Sequence, residues 1–170
     1  ALDEASAAIR AGNYQAALPL AERAVALAES SPDPTVLGRA LAELGRAQWG
    51  RGQYAAARAT LDRGLEVFRR LDDASGVAEL LMRLGENQFS QGRCESALSH
   101  YARALESNAR GPVRLREAQI RSNMGSALRF LGRLDEAAAA AGEALGMFRL
   151  LGDEAGAGRA LTFLGIIHRA

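Results

Sequence analysis

One sequence pattern recurs along the chain at a fixed interval of 40 residues, and residues 38–68, GRALAELGRAQWGRGQYAAARATLDRGLEVF, show it in full. Glycine, alanine and larger apolar positions all keep this interval. The columns are Gly45, Gly85, Gly125 and Gly165; Gly12, Gly52, Gly92 and Gly132; Ala17, Ala57, Ala97 and Ala137; and Val25, Leu65, Leu105 and Leu145. A period of roughly 20 to 50 residues indicates a repeat architecture, so the chain has to be interpreted repeat by repeat.

Each repeat is predicted to contain two helices joined by a short turn. Apolar residues recur at helical spacing before Gly52, and again after it from Ala57 to Phe68. Gly52 lies between the two segments, where glycine allows a tight reversal without steric cost. Gly45 lies inside the first helix, where glycine costs roughly 1 kcal/mol relative to alanine. We expect that position to need a missing side chain for close helix approach, with Ala57 and its equivalents as the small partners on the facing helix.

The repeated positions form a motif. Its residues are Leu44-Gly45, Gly52 and Tyr54, Ala57, and Gly64-Leu65, with counterparts in the other copies. This motif resembles that of the tetratricopeptide repeat family, although the period is 40 residues instead of the commoner ~34. Arg121 stands where other copies have leucine, so that copy is expected to pack less tightly. Repeats of this length are similar to those of kinesin light chains, spindle-orientation adaptors and the sensor regions of large bacterial transcription activators and signalling ATPases.

The resemblance implies an all-α fold, an α-α superhelix of antiparallel helix pairs. We expect one solenoid over residues 1–170, with about four repeats and an extra terminal helix. The expected repeats are 1–31, 32–71, 72–111, 112–151 and a half-repeat at 152–170. The expected helices are 2–10, 13–29, 34–51, 53–70, 73–91, 93–109, 113–131, 133–151 and 153–169, with Asp33 as an N-cap and Gly111-Pro112 as a break. Because the chain begins at Ala1 and ends inside a first helix, we expect a piece of a longer protein.

Composition and charge argue against several functional classes. The formal net charge is +1 and all 21 basic residues are arginine, so no clustered positive charge marks a general nucleic-acid binder. Cys94 is the only cysteine, which rules out an intrachain disulfide and a cysteine-based metal site. No apolar run reaches the length of a membrane span, and no signal-peptide pattern is present. We expect a cytoplasmic protein with no membrane partner and no specific nucleic-acid partner.

The sequence contains no recognisable catalytic or metal-binding motif. The two histidines, His100 and His168, do not repeat and are not at metal-ligand spacing from each other. No zinc-protease, P-loop or nucleophile-elbow string occurs. The paired acidic residues near helix starts are explained by their favourable interaction with the helix dipole. We therefore predict no enzymatic activity, no metal and no cofactor.

The candidate binding surface is the concave wall, which the first helices of successive repeats are expected to line. The family resemblance implies that ligands lie there. Positions 39, 42, 46 and 49 share one helical face, and this column varies between repeats far more than the packing columns do. Trp49, Met82 and Phe89 place apolar bulk among charges, as in a peptide-binding hot spot. The predicted partner-binding residues are Arg39, Arg46, Trp49, Glu79, Met82, Glu86, Phe89, Ser122, Asn123, Ser126 and Arg129.

Two structural alternatives to this site remain open. Arg46 could form an ion pair with Glu86 across adjacent helices, which would leave a neutral, structural groove. Trp49 and Phe89 could be core residues if their helices are rotated from the expected angle. The lysine and asparagine clamp that the chaperone-binding class of the family uses for a terminal carboxylate is absent, so a chaperone C-terminus is not expected as the ligand.

The sequence thus predicts a protein–protein interaction module that binds a peptide or protein segment of mixed charge in its concave groove. The alternative is a regulatory or sensor segment of a larger bacterial transcriptional or signalling switch protein, which contacts its own effector domain or an inducer. The last helix is apolar on nearly every face, with Leu161 and Ile166 among its residues. We therefore also expect weak homo-oligomerisation through this end.

Overall fold

The computed structural model describes residues 1–108 and 114–169, with Arg114 described by its backbone alone. This part of the chain is all-α and contains nine helices. They are α1 (Leu2–Arg10), α2 (Tyr14–Ala28), α3 (Pro34–Gly50), α4 (Tyr54–Arg70), α5 (Ala74–Ser90), α6 (Cys94–Asn108), α7 (Arg114–Phe130), α8 (Leu134–Leu150) and α9 (Glu154–Ile167). These bounds agree with the predicted ones to within two residues. The predicted break at Gly111-Pro112 lies outside the described residues.

Glycine turns reverse the chain within each helix pair. Gly52 has a φ of +74°, and the glycines at its 40-residue equivalents have φ values between +72° and +74°. This left-handed conformation is the one that favours glycine, which confirms the predicted turn. Between α4 and α5 the left-handed residue is Asp72, with a φ of +50°, and 80 residues later it is Gly152.

Aspartate side chains fix where three of the first helices begin. The Oδ1 atom of Asp33 accepts a hydrogen bond from the Thr35 amide at 2.8 Å, which confirms the predicted N-cap. Asp73 and Asp153 accept hydrogen bonds from the amides three residues later, at 3.0 and 2.9 Å. Each cap satisfies an otherwise unpaired amide of the first turn, so α3, α5 and α9 start at equivalent positions.

The first helices of successive pairs form the inner wall of the superhelix. Consecutive helices pack against each other along the chain, and α1, α3, α5, α7 and α9 also contact one another in succession. Among the described residues, no second helix contacts another second helix. Since the inner side of a curved stack brings its elements closest together, the first helices lie on the concave side, as expected.

The glycine column within the first helices makes room for large side chains of the second helices. A Cβ atom on Gly45 would lie 2.5 Å from the Leu61 Cδ2 atom, and one on Gly85 would lie 2.3 Å from the Tyr101 Cε1 atom. The prediction that Ala57 and its equivalents face these glycines is wrong for these two copies, because the nearest side chain comes one helical turn later. A Cβ atom on Gly125 would meet a residue of the alanine column, with the carbonyl oxygen of Ala137 and the Cε1 atom of Phe163 each at 3.3 Å.

Arg121 occupies a position where Leu41 and Leu81 are almost fully buried. Its side chain is 30% exposed and forms an ion pair with Glu117 at 2.8 Å and another with Glu143 on α8. In this copy, an ion-paired surface contact takes the place of the apolar contact that leucine makes elsewhere.

Candidate functional site

A cavity of about 270 Å³ lies on the inner wall between α3, α5 and α7. This volume is close to the lower end, about 300 Å³, of pockets that hold small ligands. We call it the central cavity, and its lining residues are Tyr14, Gly45, Arg46, Trp49, Leu61, Arg83, Glu86, Phe89, Ser90, Tyr101, Asn123 and Ser126. Because Gly45 and Gly85 have no side chains, Leu61 and Tyr101 reach between the first helices and contribute to this wall.

Trp49 connects two successive repeats at one side of the central cavity. Its indole Nε1–H donates a hydrogen bond to the Ser90 hydroxyl at 2.8 Å. The Tyr14 ring packs edge-on against the indole, with ring centroids 6.2 Å apart. These contacts to α2 and α5 hold a half-buried aromatic surface in a fixed orientation.

A second aromatic cluster borders the cavity on the side of α7. The rings of Phe89 and Phe130 pack edge-to-face, with centroids 5.3 Å apart. The guanidinium of Arg129 lies 4.9 Å from the centroid of Phe130 and 5.9 Å from that of Phe163. Phe130 is 65% exposed, so this cluster presents both apolar and cationic surface.

The charges around the cavity are largely paired with one another. Arg46 pairs with Glu43 at 3.3 Å, and Arg83 pairs with Glu86 at 3.1 Å and with Glu79 at 3.7 Å. Burial opposes the charge of the Arg83 guanidinium, but the carboxylates of Glu86 and Glu79 outweigh it and raise its pKa. The rim is therefore polar and close to neutral overall.

The interior of the cavity also contains polar groups with free hydrogen-bonding capacity. Tyr101 is 1% exposed, and the structure gives its hydroxyl no hydrogen-bond partner among the described residues. Burial and the nearby carboxylate of Glu86 raise the pKa of Tyr101, so the hydroxyl stays protonated and can donate. Asn123 donates through Nδ2 to Glu86 at 3.1 Å. A bound molecule would thus meet apolar walls and a few fixed polar atoms.

The tetratricopeptide repeat model matches residues 1–70, 40–110 and 76–150 of this sequence. The chain belongs to the tetratricopeptide repeat family. This assignment confirms the resemblance inferred from the glycine and alanine columns. No curated protein sequence matches the chain significantly.

Solved structures of several other proteins have a fold similar to that of this tetratricopeptide repeat protein. BtubC (BKLC) from P. vanneervenii is similar with a TM-score of 0.80 and 20% identity, over 97% of this chain and 69% of that one. A signal transduction ATPase with numerous domains and a tetratricopeptide repeat sensor, from Pyrococcus horikoshii, matches with a TM-score of 0.79 and 17% identity, over 98% of this chain and 26% of that one. A Rap protein complexed with competence and sporulation factor matches with a TM-score of 0.63 and 15% identity, over 97% of this chain and 50% of that one.

Six of the predicted partner-binding residues line the central cavity of the tetratricopeptide repeat solenoid. They are Arg46, Trp49, Glu86, Phe89, Asn123 and Ser126. The alternative ion pair between Arg46 and Glu86 does not form, because Arg46 pairs with Glu43 on its own helix and Glu86 pairs with Arg83. Trp49 and Phe89 are half-buried, so they are wall residues instead of fully buried core residues.

The other predicted residues lie elsewhere. Met82 is 3% exposed and packs in the core with Leu81 and Leu84, which corrects its prediction as a contact residue. Arg39 and Glu79 line a separate small recess near Phe68. Ser122 lies one turn from Ser126 on α7, and its carbonyl oxygen accepts a hydrogen bond from the Ser126 hydroxyl at 3.4 Å. Arg129 is in the aromatic cluster that borders the cavity.

Sequence reasoning missed the contributions of α2, α4 and α6 to the cavity. Tyr14, Leu61 and Tyr101 lie on second helices, whereas only the first helices were expected to line the inner wall. The glycine column is the one sequence signal of these contributions, since each glycine marks a gap that a facing side chain can enter, but it does not identify Leu61 or Tyr101 as that side chain. Arg83 was missed because the predicted helical face did not include it.

The described part of the chain offers no metal site and no membrane span. It contains no group of three or more histidine, cysteine, aspartate or glutamate side chains placed to hold a metal ion. None of its helices combines the length and apolar character that crossing a membrane requires. Cys94 is free and buried.

Proposed function

We propose that this tetratricopeptide repeat solenoid, taken as one unit over residues 1–170, is a non-catalytic cytoplasmic module that binds a segment of a partner protein on its concave wall. The observation that carries the proposal is the central cavity, which three successive first helices build from aromatic walls and a polar rim. In this proposal an apolar side chain of the partner enters the cavity, and the partner backbone runs along the first helices.

Preorganisation of the walls supports this function. Trp49 is fixed by its hydrogen bond to Ser90 and its contact with Tyr14, and the Arg83 side chain is fixed between two glutamates. A receptor whose side chains are already ordered loses little entropy on binding, which leaves more of the contact energy as affinity. Tryptophan, tyrosine and arginine are also the residues most enriched at binding hot spots.

Selection from a phage-displayed random peptide library tests the proposal. Enriched peptides are expected to bind the wild type and the Leu150→Ala control equally, since Leu150 is 90% exposed on α8 and does not line the cavity. Trp49→Ala should weaken the same peptides by a factor of about 30, as expected when a hot-spot residue contributing about 2 kcal/mol is removed. Equal affinity for a folded Trp49→Ala protein would contradict the proposal.

A charge reversal provides a second variant that keeps the apolar walls. Arg46→Glu should weaken peptides of mixed charge, because Arg46 lines the rim of the cavity, and it should leave the helical content unchanged. Circular dichroism reports the helical content and fluorescence anisotropy the affinity. Unchanged affinity for every enriched peptide would remove Arg46 from the site.

The second candidate is a regulatory or sensor segment of a larger switch protein, in which the solenoid contacts its own effector domain or an inducer. The fold likeness to the signal transduction ATPase with a tetratricopeptide repeat sensor supports this candidate. The match covers 26% of that protein, so the similar fold is there one segment of a larger protein. An inducer that enters the central cavity would raise the melting temperature by mass action. Thermal-shift screening with metabolite pools distinguishes the candidates. A metabolite that raises the melting temperature of the wild type but not of Trp49→Ala favours the sensor. Enriched peptides without any stabilising metabolite favour the interaction module.

We also propose weak self-association through α9. Leu161 and Ile166 are each 47% exposed on this helix, whereas Leu41 and Leu81, at the equivalent position of Leu161, are buried. Light scattering at increasing protein concentration should give a rising mean mass, and Leu161→Glu should abolish the rise. A strictly monomeric wild type at high concentration would contradict this proposal.

A further inference from the structure

Arg129 differs from the other half-buried arginines of the chain. Among the arginines whose side chains the structure describes, five are half-buried. Four of them, Arg46, Arg83, Arg116 and Arg121, each form an ion pair with a glutamate. Arg129 forms none within the described residues. Its Nε atom, like that of Arg83, is buried there without a hydrogen-bond partner. Among these five half-buried arginines, four therefore have a carboxylate partner within the described residues, and Arg129 has none.

The surroundings of Arg129 orient its guanidinium without neutralising it. The group lies over the faces of Phe130 and Phe163, at 4.9 and 5.9 Å from their centroids. Stacking on aromatic faces holds the planar group while its edge donors remain able to bind a carboxylate in a two-pronged arrangement. A cation that is partly desolvated and unpaired gains more from an incoming anion than an exposed one does.

Arg129 is also placed to act together with the central cavity. It follows Ser126, a lining residue, by three positions on α7, which corresponds to about 4.5 Å along the helix axis. Phe130 packs against Phe89, another lining residue. The guanidinium therefore lies at the border of the cavity, on the side of the fourth helix pair.

We infer that Arg129 binds a carboxylate of the same segment whose apolar side chain enters the central cavity. This inference rests on the proposed function and gives the ligand its chemistry: an apolar residue next to a carboxylate, either of Asp or Glu or of the chain terminus. An extended peptide advances about 3.3 Å per residue, so the carboxylate lies within two positions of the residue in the cavity. The position differs from the columns of the lysine and asparagine clamp, which this chain lacks.

Fluorescein-labelled peptides from the library selection test this inference in an anisotropy assay. Arg129→Gln should weaken a carboxylate-bearing peptide by about 10-fold or more, the range expected for a hydrogen bond between charged groups. Arg129→Lys keeps the charge but loses the planar fork, so an intermediate affinity is expected. The matched control is Arg159→Gln, because Arg159 is an exposed arginine on the neighbouring first helix α9.

Peptide variants identify the source of the carboxylate. Replacing Asp or Glu by the amide should cost as much as Arg129→Gln, and the two changes together should cost no more than either alone, as for directly coupled groups. If instead C-terminal amidation causes this loss, the terminal carboxylate is the partner. Either result supports the inference.

The inference and the proposed function fail in different ways. If Trp49→Ala weakens the peptides but Arg129→Gln binds them as tightly as the wild type, Arg129 is not the anion site and the cavity remains the binding site. If no peptide is enriched, or if Trp49→Ala has no effect, the proposed function fails and the inference fails with it. Enriched peptides without any required carboxylate also overturn the inference.

Discussion

The second and third helix pairs differ from the fourth pair in the second-helix residue that faces the glycine of the first helix. In α3–α6, the glycines of the first helices face Leu61 and Tyr101, whose side chains reach the inner wall and line the central cavity. In α7–α8 the corresponding residue is Ala141, and a Cβ atom on Gly125 would instead meet the Ala137 oxygen and the Phe163 Cε1 atom, each at 3.3 Å, and the Ala141 nitrogen at 3.7 Å. Where the second helix has a large residue at this position, its side chain fills the space beside the glycine and lines the cavity. Where it has alanine, the α8 backbone and the Phe163 ring lie beside the glycine instead.

The arginines of the two regions show the same contrast. Arg83 and Arg121 each bridge two glutamates, but Arg83 is 19% exposed and borders the cavity, whereas Arg121 is 30% exposed and its partner Glu143 is 57% exposed. Ion pairs lose most of their strength to solvent when they are exposed. The region with the cavity should therefore depend much more on its arginine than the other region does.

The largest effect is expected for Arg83→Met. Removing this guanidinium leaves Glu86 without its ion-pair partner, whereas Glu79 keeps Arg116 at 3.4 Å. Breaking a fully buried ion pair costs about 3–5 kcal/mol. Because Arg83 keeps some exposure, we expect the free energy of unfolding to fall by about 2 kcal/mol, measured by urea denaturation. Arg121→Met is the matched control and should cost less than about 1 kcal/mol. Equal losses for the two variants would mean that burial does not distinguish the two regions.

An intermediate effect is expected for Gly85→Ala. The new Cβ atom would lie 2.3 Å from the Tyr101 ring, so the ring must shift toward the central cavity. Overpacking of this kind costs about 1–3 kcal/mol, which exceeds the gain of about 1 kcal/mol in helix propensity. We therefore expect a loss of about 1 kcal/mol in thermal or urea denaturation, together with weaker peptide binding.

Gly165→Ala is the control in the same column. Its new Cβ atom would meet nothing closer than an Arg169 nitrogen at 3.8 Å, so only the helix propensity changes. This variant should be more stable than the wild type by up to about 1 kcal/mol. If Gly85→Ala were equally stabilising, the close packing of the Tyr101 ring would not require glycine at position 85.

The smallest effect concerns His100 on α6, in the region that contains the cavity. Desolvation lowers its pKa, the Arg103 cation lowers it further, Asp62 opposes this shift, and Arg58 adds to it. The unfolded chain, with a histidine pKa of about 6.5, takes up a proton that the folded state resists. The stability contribution is therefore present above that pH and is lost as the pH falls below it.

Melting temperatures of the wild type and His100→Gln at pH 7.5 and pH 5.5 check this sign. The wild type should lose more stability on acidification than the variant does. A larger loss in the variant would mean that the folded state favours protonated His100.

The fold was predictable because its determinants are local and repeated. The glycine turns, the aspartate caps and the apolar spacing recur in several copies. Where one copy departs from the pattern, the equivalent residues of the other copies still predict the helix bounds. What the sequence could not give was the partner of Gly45, because a missing side chain indicates that space is needed without indicating which neighbour fills it. Helix geometry puts Leu61 closer than Ala57, and that choice depends on how far the second helix is shifted along the first.

The candidate site was predictable only in part. Placing positions 46, 49, 86 and 89 on one face depends on helical periodicity alone, and the structure brings the residues there together. Met82 was misplaced because a small rotation of α5 moves a residue from the edge of the inner wall into the core. Arg83 and Tyr101 could not be found by that periodicity, since their places at the cavity depend on tertiary packing between helix pairs.

Nuclear magnetic resonance of the Trp49 indole tests the central claim most directly. Trp49 is the only tryptophan in the chain, so a single indole N–H signal reports on the hydrogen bond to Ser90 at the wall of the cavity. Titration with a peptide enriched on this protein is expected to shift that signal to saturation, with the same dissociation constant as the anisotropy assay. A peptide that binds with this affinity while the indole signal stays unchanged would contradict the claim that the central cavity is the binding site.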